Sequence, residues 1–434
     1  MVSDHDLNGR EVPEPPTFYH ATRNPFPPLP RLDGQIETDV CVIGGGLTGV
    51  STALHLAERG YSVVLLEARR IGFGASGRNG GQLVSGYSCE MNRIRAEVGL
   101  EASRAFWDMG VEALADIDKR IARHGIECDR RQGYFFAARN PGQMAGLLEM
   151  QAEWRSLYGY DRMTAVPRDA VGDWIGTGFY HGGLADPGGG QIHPLNYLQG
   201  LTRAATEAGA RILENSEVIR LERGNRPEAH TRAGSVRARF LVLAGNAYLG
   251  GLVPELQGYI APVSSFVCAT EPLGTAPADQ VIPADVAVAD ASVALDYYRL
   301  SADKRLLFGA GAVYSGRTPH ALSRFLRKRI GRVFPALADT PLEYVWSGHV
   351  GITVSRIPDF GRLEPSIYYA HGFSGHGVAL TGLAGKLMAE AVDGDAGRFD
   401  MFADIRHQRF PGGPLRTPAL VLAMAYYKLR DRLG

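Results

Sequence analysis

Residues 39–67, DVCVIGGGLTGVSTALHLAERGYSVVLLE, decide the fold. The stretch 39–43 (DVCVI) reads as a buried strand. Gly44, Gly46 and Gly49 follow at G-x-G-x-x-G spacing. Positions 47–59 carry helical periodicity and stop at Gly60, a residue suited to a helix C-cap. A second apolar strand, 61–66 (YSVVLL), is closed by Glu67. The three pieces make a complete β-α-β unit. Each glycine has a task in it: Gly44 lets the chain turn, Gly46 lets the backbone approach a pyrophosphate, and Gly49 permits close helix–sheet packing. The helix N-terminus meets the diphosphate with free N–H groups and a positive dipole end. Glu67 is placed to accept both hydroxyls of an adenosine ribose, and it would repel a 2′-phosphate, which disfavours NADP. A glycine-rich turn that binds nothing would not explain strand, helix and acid in register.

Two further segments favour FAD over NAD. The first, 72–82 (GFGASGRNGGQ), brings five glycines together with Ser76, Arg78, Asn79 and Gln82. Small residues let its backbone, Gly80 and Gly81 included, pass close to a flat ring, while the polar side chains meet phosphate and ring edges. The second, 372–385 (GFSGHGVALTGLAG), again follows a strand and opens a helix. A helix N-terminus there would stabilise the negative charge of a reduced flavin. His376 either serves that site or is a packed turn histidine.

Composition sets the outer bounds. The chain has 434 residues, 46 basic and 46 acidic, with 45 % hydrophobic and 21 % charged residues. Wholesale disorder and fibrous structure are excluded, and so is the basic footprint of a nucleic-acid binder. The four cysteines lie far apart in sequence, so neither a disulfide framework nor a metal site is expected. No secretory signal and no 18-residue apolar run is present, so the cytoplasm is the expected location. Residues 1–35 form a proline-rich arm, extended by its composition. Phe18, Tyr19 and Phe26 either anchor it to the body or belong to a disordered leader.

Helices are expected over 92–124, 141–158, 194–208, 319–334 and 377–392. Strands are expected at 134–137, 211–222, 235–244, 260–271, 294–300, 305–311 and 366–370, with Ser-Ala-Asp-Lys (301–304) turning a hairpin.

The segments 44–82 and 372–385 resemble the FAD-dependent amine and amino acid oxidoreductases of the D-amino-acid oxidase family. The leader TFYHATRNPFPPLP, the segment DYYRLSADKRLLFGAG and the tail PALVLAMAYYKLRDRL are similar to the bacterial gamma-glutamylputrescine oxidoreductase subgroup. The resemblance implies an α/β fold in which a Rossmann-like FAD domain is joined to an α+β substrate domain built on a mixed sheet. It divides the chain into the arm 1–35, an FAD domain of 36–92, 188–254 and 345–398, a substrate domain of 93–187 and 255–344, and a C-terminal arm, 399–434. Position by position it implies FAD contacts at Gly44, Gly46, Gly49, Glu67, Ser76, Arg78, Asn79, Gly80, Gly81 and Gln82. It adds Val218, the turn Ala244, Gly245 and Asn246, and the loop Gly375, His376, Gly377 and Val378. Some family members attach flavin through a cysteine just before the late loop. Here 345–380 contains none, so FAD is expected to be noncovalent.

The implied reaction moves a hydride from an amine carbon to the flavin, and water hydrolyses the imine. Gamma-glutamylputrescine or a related polyamine derivative is the leading substrate, with O₂ or another electron acceptor. Sarcosine, glycine or D-amino acid oxidation is the alternative, and a non-enzymatic flavin redox sensor the second. On the substrate side, strand alternation presents either Tyr297 or Tyr298 to the pocket. Tyr298 is chosen because Arg299 would share the face of Tyr297. His349 and Arg356 are placed to reach a carboxylate or amide, and Arg356 reads equally as a surface residue. The apolar stretch 419–427 is too short to cross a bilayer, which needs about 20 residues. Docking on the body is preferred to contact with a membrane or partner.

Overall fold

A computed structural model describes residues 17–292, 295–313 and 321–411. The first of its two sheets grows from the β-α-β unit. Strand Gly34–Ile43 lies between Val63–Leu66 and Gly234–Leu243, parallel to both, with Ile43 opposite Leu66 and Leu243. Arg211–Leu213 and Ile367–His371 extend the parallel run on either side, and Asp359–Glu364 closes it antiparallel. Strands covered on both faces cannot alternate in polarity. Accordingly Val40 to Ile43 and Val63 to Leu66 are all buried.

Helix Leu47–Ala57 is buried along its whole length. Helix Gly377–Val392 packs across it closely enough that a Cβ on Gly385 would lie 2.6 Å from the Thr52 nitrogen. Ser51 Oγ donates to the Gly382 carbonyl at 2.9 Å across the same contact. The two glycine-led helices are therefore locked together, and both start at one edge of the sheet.

Among the described residues the second sheet has nine strands and is mixed. Its antiparallel run is Leu342–Thr353, Ile260–Thr270, Leu306–Val313, Asp296–Leu300 and Ala287–Asp290. Ala287–Asp290 then pairs parallel with Arg131–Ala138, which pairs with Gly182–Gln191. Helix Leu322–Val333 covers one face with Leu322, Leu326, Ile330 and Val333.

Several expectations need correction. Residues 345–353, grouped above with the FAD domain, run in the second sheet, paired along their length with Ile260–Thr270. The single strand expected at 211–222 is broken. Asn215 takes a left-handed φ of 51°, and Glu214 turns inward to accept the Ile71 N–H at 2.8 Å. Gly182–Gln191 carries no strand signal, because it is glycine-rich and contains Pro187. The glycines are needed: a Cβ on Gly183 would lie 2.3 Å from the Phe135 ring. Part of the expected C-terminal arm is core: helix Gly397–Ala403 buries Phe399 and Phe402 beside Phe360.

At the other end, Thr17 caps the short helix Phe18–Thr22, and Phe18 and Tyr19 are buried. The arm is anchored there. Residues 1–16 and the apolar stretch 419–427 lie outside the described residues. Among the described residues no helix is long and apolar enough to cross a membrane.

Candidate active site

Parallel strands end on the same side of a sheet, so the turns at 44–46, 67, 244–246 and 372–375 meet along one edge. The turns touch. A Cβ on Gly44 would lie 2.8 Å from the Ala244 carbonyl oxygen, and one on Gly49 only 1.9 Å from that of Gly44. A Cβ on Gly46 would meet Ser76 Oγ at 2.8 Å. That hydroxyl oxygen accepts the Leu47 N–H at 2.9 Å, so the loop after Glu67 caps the first helix. Asn246 Oδ1 accepts the Gly372 N–H at 3.0 Å and ties the third turn to the late loop.

Glu67 is half-buried and bonded to the motif itself, accepting N–H groups from Gly45 at 2.6 Å and Arg69 at 2.8 Å. Burial pushes its pKa up, and these two bonds oppose the shift without cancelling it. Val218 lies half-buried against the core of the same sheet.

In the 72–82 loop the polar side chains brace their own backbone. Arg78 donates to the carbonyls of Phe73 at 2.7 Å and Ser347 at 3.2 Å. Asn79 donates to Ala75 and Ser76 and accepts the Gly81 N–H at 2.7 Å. Gln82 donates to Val288 and Tyr298 of the second sheet at 2.9 and 3.1 Å. These groups satisfy nearby carbonyls, as partly buried donors must. The loop is stiffened for the approach of a ligand to its backbone.

The late loop is held similarly. Ser374, at a φ of 55°, donates its N–H to the Gly351 carbonyl at 2.9 Å, and its own carbonyl accepts the Ser88 hydroxyl at 2.7 Å. His376 Nε2 donates to the Val84 carbonyl at 3.1 Å. Burial pushes His376 down to about 4. It is thus neutral at physiological pH, and its bond pins the loop. Gly377 opens the helix that follows, and Val378 is half-buried against the core. The positive end of this helix stays available to an anion. Gly375 is exposed, and nothing lies within 4 Å of where its Cβ would be.

The second sheet faces these loops with Tyr297, and the expectation of Tyr298 is overturned. Tyr298 is fully buried in the opposite core, stacked on Phe308 at 5.4 Å. Tyr297 lies against Gly80 and Gly309, with its hydroxyl 3.2 Å from Ser265 Oγ. Arg299 does share its face, but as a buried brace whose Nε donates to the Gly80 carbonyl at 2.7 Å. Val84, Phe136 and Tyr297 are half-buried and pack beside buried Tyr134, Ala287 and Ala289. Sequence reasoning missed Phe136 and Val84; alternation from Tyr134 was the available signal for Phe136, and none pointed to Val84.

His349 is half-buried at the edge strand, with Nδ1 3.1 Å from Ser264 Oγ and its ring 6.0 Å from that of Tyr248. Arg356 sits on an exposed turn at a φ of 62°, and its guanidinium has no ion-pair partner among the described residues. Away from these loops, Glu222, Glu228 and His230 cluster on an edge hairpin, where both acids are already paired with arginines.

FAD fits this edge. Two helix N-termini converge on it, and its glycines leave backbone exposed where side chains would collide. Comparisons with known proteins agree. Residues 39–391 match the FAD dependent oxidoreductase family. The chain is 44 % identical over 420 residues to gamma-glutamylputrescine oxidoreductase of Escherichia coli, covering 96 % of this chain and 98 % of that one. It is 40 % identical to a probable oxidoreductase of Haemophilus influenzae, covering 96 % and 97 %. Glycine oxidase from Geobacillus kaustophilus has the same fold, with a TM-score of 0.69 at 21 % identity over 82 % of this chain and 95 % of that one. The chain belongs to the family of FAD-dependent oxidoreductases.

Proposed function

We propose that this enzyme oxidises gamma-glutamylputrescine or a closely related polyamine derivative at an amine-bearing carbon. The observation that carries the reading is the 44 % identity to gamma-glutamylputrescine oxidoreductase along nearly the whole of both chains. Bound FAD supplies the two-electron acceptor, and the resulting imine is hydrolysed by water to an aldehyde.

The protein's part is placement. Tyr297, Phe136 and Val84 form an aromatic and aliphatic wall suited to the methylene chain of a polyamine. An amine that reacts must be uncharged, and an apolar wall favours that form by withholding solvation from the ammonium. His349, on the strand whose Gly351 bonds the late loop, and Arg356, on the turn after that strand, are assigned to the polar glutamyl end. The helix N-terminus at Gly377 is assigned to the charge that reduction adds. The turns at 44–46, 76–82, 244–246 and 375–378, with Glu67 and Val218, hold the cofactor noncovalently.

The test is anaerobic addition of gamma-glutamylputrescine, putrescine, sarcosine, glycine and D-alanine to the purified holoenzyme. Gamma-glutamylputrescine should bleach the flavin absorption fastest. Bleaching by glycine or D-alanine alone would refute the substrate assignment. Admitting O₂ afterwards separates an oxidase, which recovers its colour, from a dehydrogenase needing another acceptor.

A further inference from the structure

Arg299 is 4 % exposed, and no carboxylate among the described residues forms an ion pair with it. Its donors are spent on uncharged oxygens. Nε donates to the Gly80 carbonyl at 2.7 Å, and Nη1 to the Leu300 carbonyl at 3.2 Å. Nη2 donates to the Ile192 carbonyl at 3.0 Å and to the Tyr19 hydroxyl at 3.1 Å. Buried charges are ordinarily paired, because an uncompensated one costs several kcal/mol. This one is kept, directly beneath Gly80 and Gly81. A Cβ on Gly81 would lie 2.7 Å from Nη2, so the guanidinium touches the loop's backbone.

Tyr19 comes from the N-terminal arm, outside the segment that matches the family. Fully buried, it packs edge-on against Trp346 at 5.6 Å and His193 at 5.0 Å. Trp346 Nε1 in turn donates to the Arg78 carbonyl at 2.9 Å. The arm therefore reaches the 78–81 backbone by two routes, through Arg299 and through Trp346. One ordinary explanation is a brace between arm and body. A brace does not by itself require a buried cation.

We propose that Arg299, oriented by Tyr19, is a positioning residue for FAD that fixes the Gly80–Gly81 backbone and supplies the positive charge that the anionic cofactor balances. The proposal rests on the placement of FAD against the 76–82 loop. It is independent of which amine is oxidised.

The test measures, without amine substrate, the FAD dissociation constant of the apoprotein and the midpoint potential of the holoenzyme. Arg299→Gln should weaken FAD at least tenfold. It should also shift the balance toward oxidised flavin about tenfold, which for a two-electron couple is about 30 mV downward. Arg299→Lys keeps the charge but cannot reach Gly80, Ile192 and Tyr19 together. It should recover most of the potential and leave FAD binding weakened. Tyr19→Phe removes one hydroxyl and should weaken FAD about threefold. If Arg299→Gln does not fold, the lysine and phenylalanine variants decide. FAD affinities within twofold of the parent in both would overturn the proposal. A weakened affinity with the same lowered potential in Gln and Lys variants would overturn the charge role, since the lysine retains the charge.

Discussion

Tyr297 of the second sheet packs against Gly80 of the 72–82 loop: a Cβ at Gly80 would lie 2.7 Å from Tyr297 Cε2. The adjacent Tyr298 points the other way, into the core between Phe308 and Phe334. The pair therefore makes a clean comparison. Tyr298→Phe removes a hydroxyl buried beside that of Tyr180, on the face of the strand away from the flavin loops. Its kcat/KM should stay within about twofold of the parent. Tyr297→Ala removes the wall beside the flavin loop and should lower kcat/KM at least tenfold, about 1.4 kcal/mol in the transition state. Steady-state kinetics with the best amine of the panel settle it. Equal losses in both variants would mean that Tyr297 is ordinary core.

Glu67 holds two backbone N–H groups with its two carboxylate oxygens. An amide cannot replace it, because Gln offers one acceptor oxygen and turns an NH₂ toward the remaining N–H. Hydrogen bonds to a charged group contribute roughly 1.5–3 kcal/mol each. Glu67→Gln should therefore loosen the 44–46 turn and weaken FAD roughly ten- to a hundredfold. Titration of apoprotein with FAD, followed by flavin fluorescence, measures it. An unchanged affinity would remove Glu67 from the cofactor site.

His193 predicts an acid limb in stability. Its Nδ1 accepts the Asn196 N–H at 3.1 Å and caps the helix Pro194–Glu207, so the proton sits on Nε2, 3.2 Å from Thr22 Oγ1. Burial, assisted by the charge of Arg299, pushes it down to about 3. The unfolded chain takes up a proton near its ordinary pKa of about 6.5, while the native state does not until about 3. The stabilisation is thus complete above about 6.5 and is lost as pH falls through that window, by roughly 2 kcal/mol at pH 5. His193→Asn keeps a capping acceptor and removes the titration. Thermal melts of the two holoenzymes from pH 7 to 5 should converge as pH falls. Parallel slopes would show that His193 does not titrate this way.

Local signals made the first sheet legible. Glycine spacing, an apolar strand on each side and a terminal acid all lie within 29 residues, and one principle links them. The substrate side depended on which face each strand presents. That is set by the register of pairings such as Tyr297 with Gly309 and Ala289, which the alternating pattern of one strand does not reveal. A shift of one residue exchanges the faces, and Tyr298 was chosen on just such a one-residue question. Arg299 misled for a related reason: a guanidinium reads as surface, and only the fold shows three carbonyls and a tyrosine waiting for it. Gly182–Gln191 was hidden because its glycines serve neighbouring rings and leave no apolar pattern of their own.

Cys89 bears on how the flavin is held. No cysteine lies near the late loop in sequence, yet the fold brings Cys89 beside it, one residue after the Ser88 that bonds the Ser374 carbonyl. Attachment requires a thiolate. Burial pushes this thiol up to about 12, against the weaker opposing pull of Arg93 and Arg356, so it stays protonated at physiological pH. Cys41, Cys128 and Cys268 are buried and likewise pushed up to about 12. Acid precipitation of the purified yellow protein should therefore release all of its FAD into the supernatant, and Cys89→Ser should retain flavin as well as the parent does. Flavin that stays with the pellet in the parent and leaves it in Cys89→Ser would identify Cys89 as a covalent attachment point and defeat the noncovalent assignment.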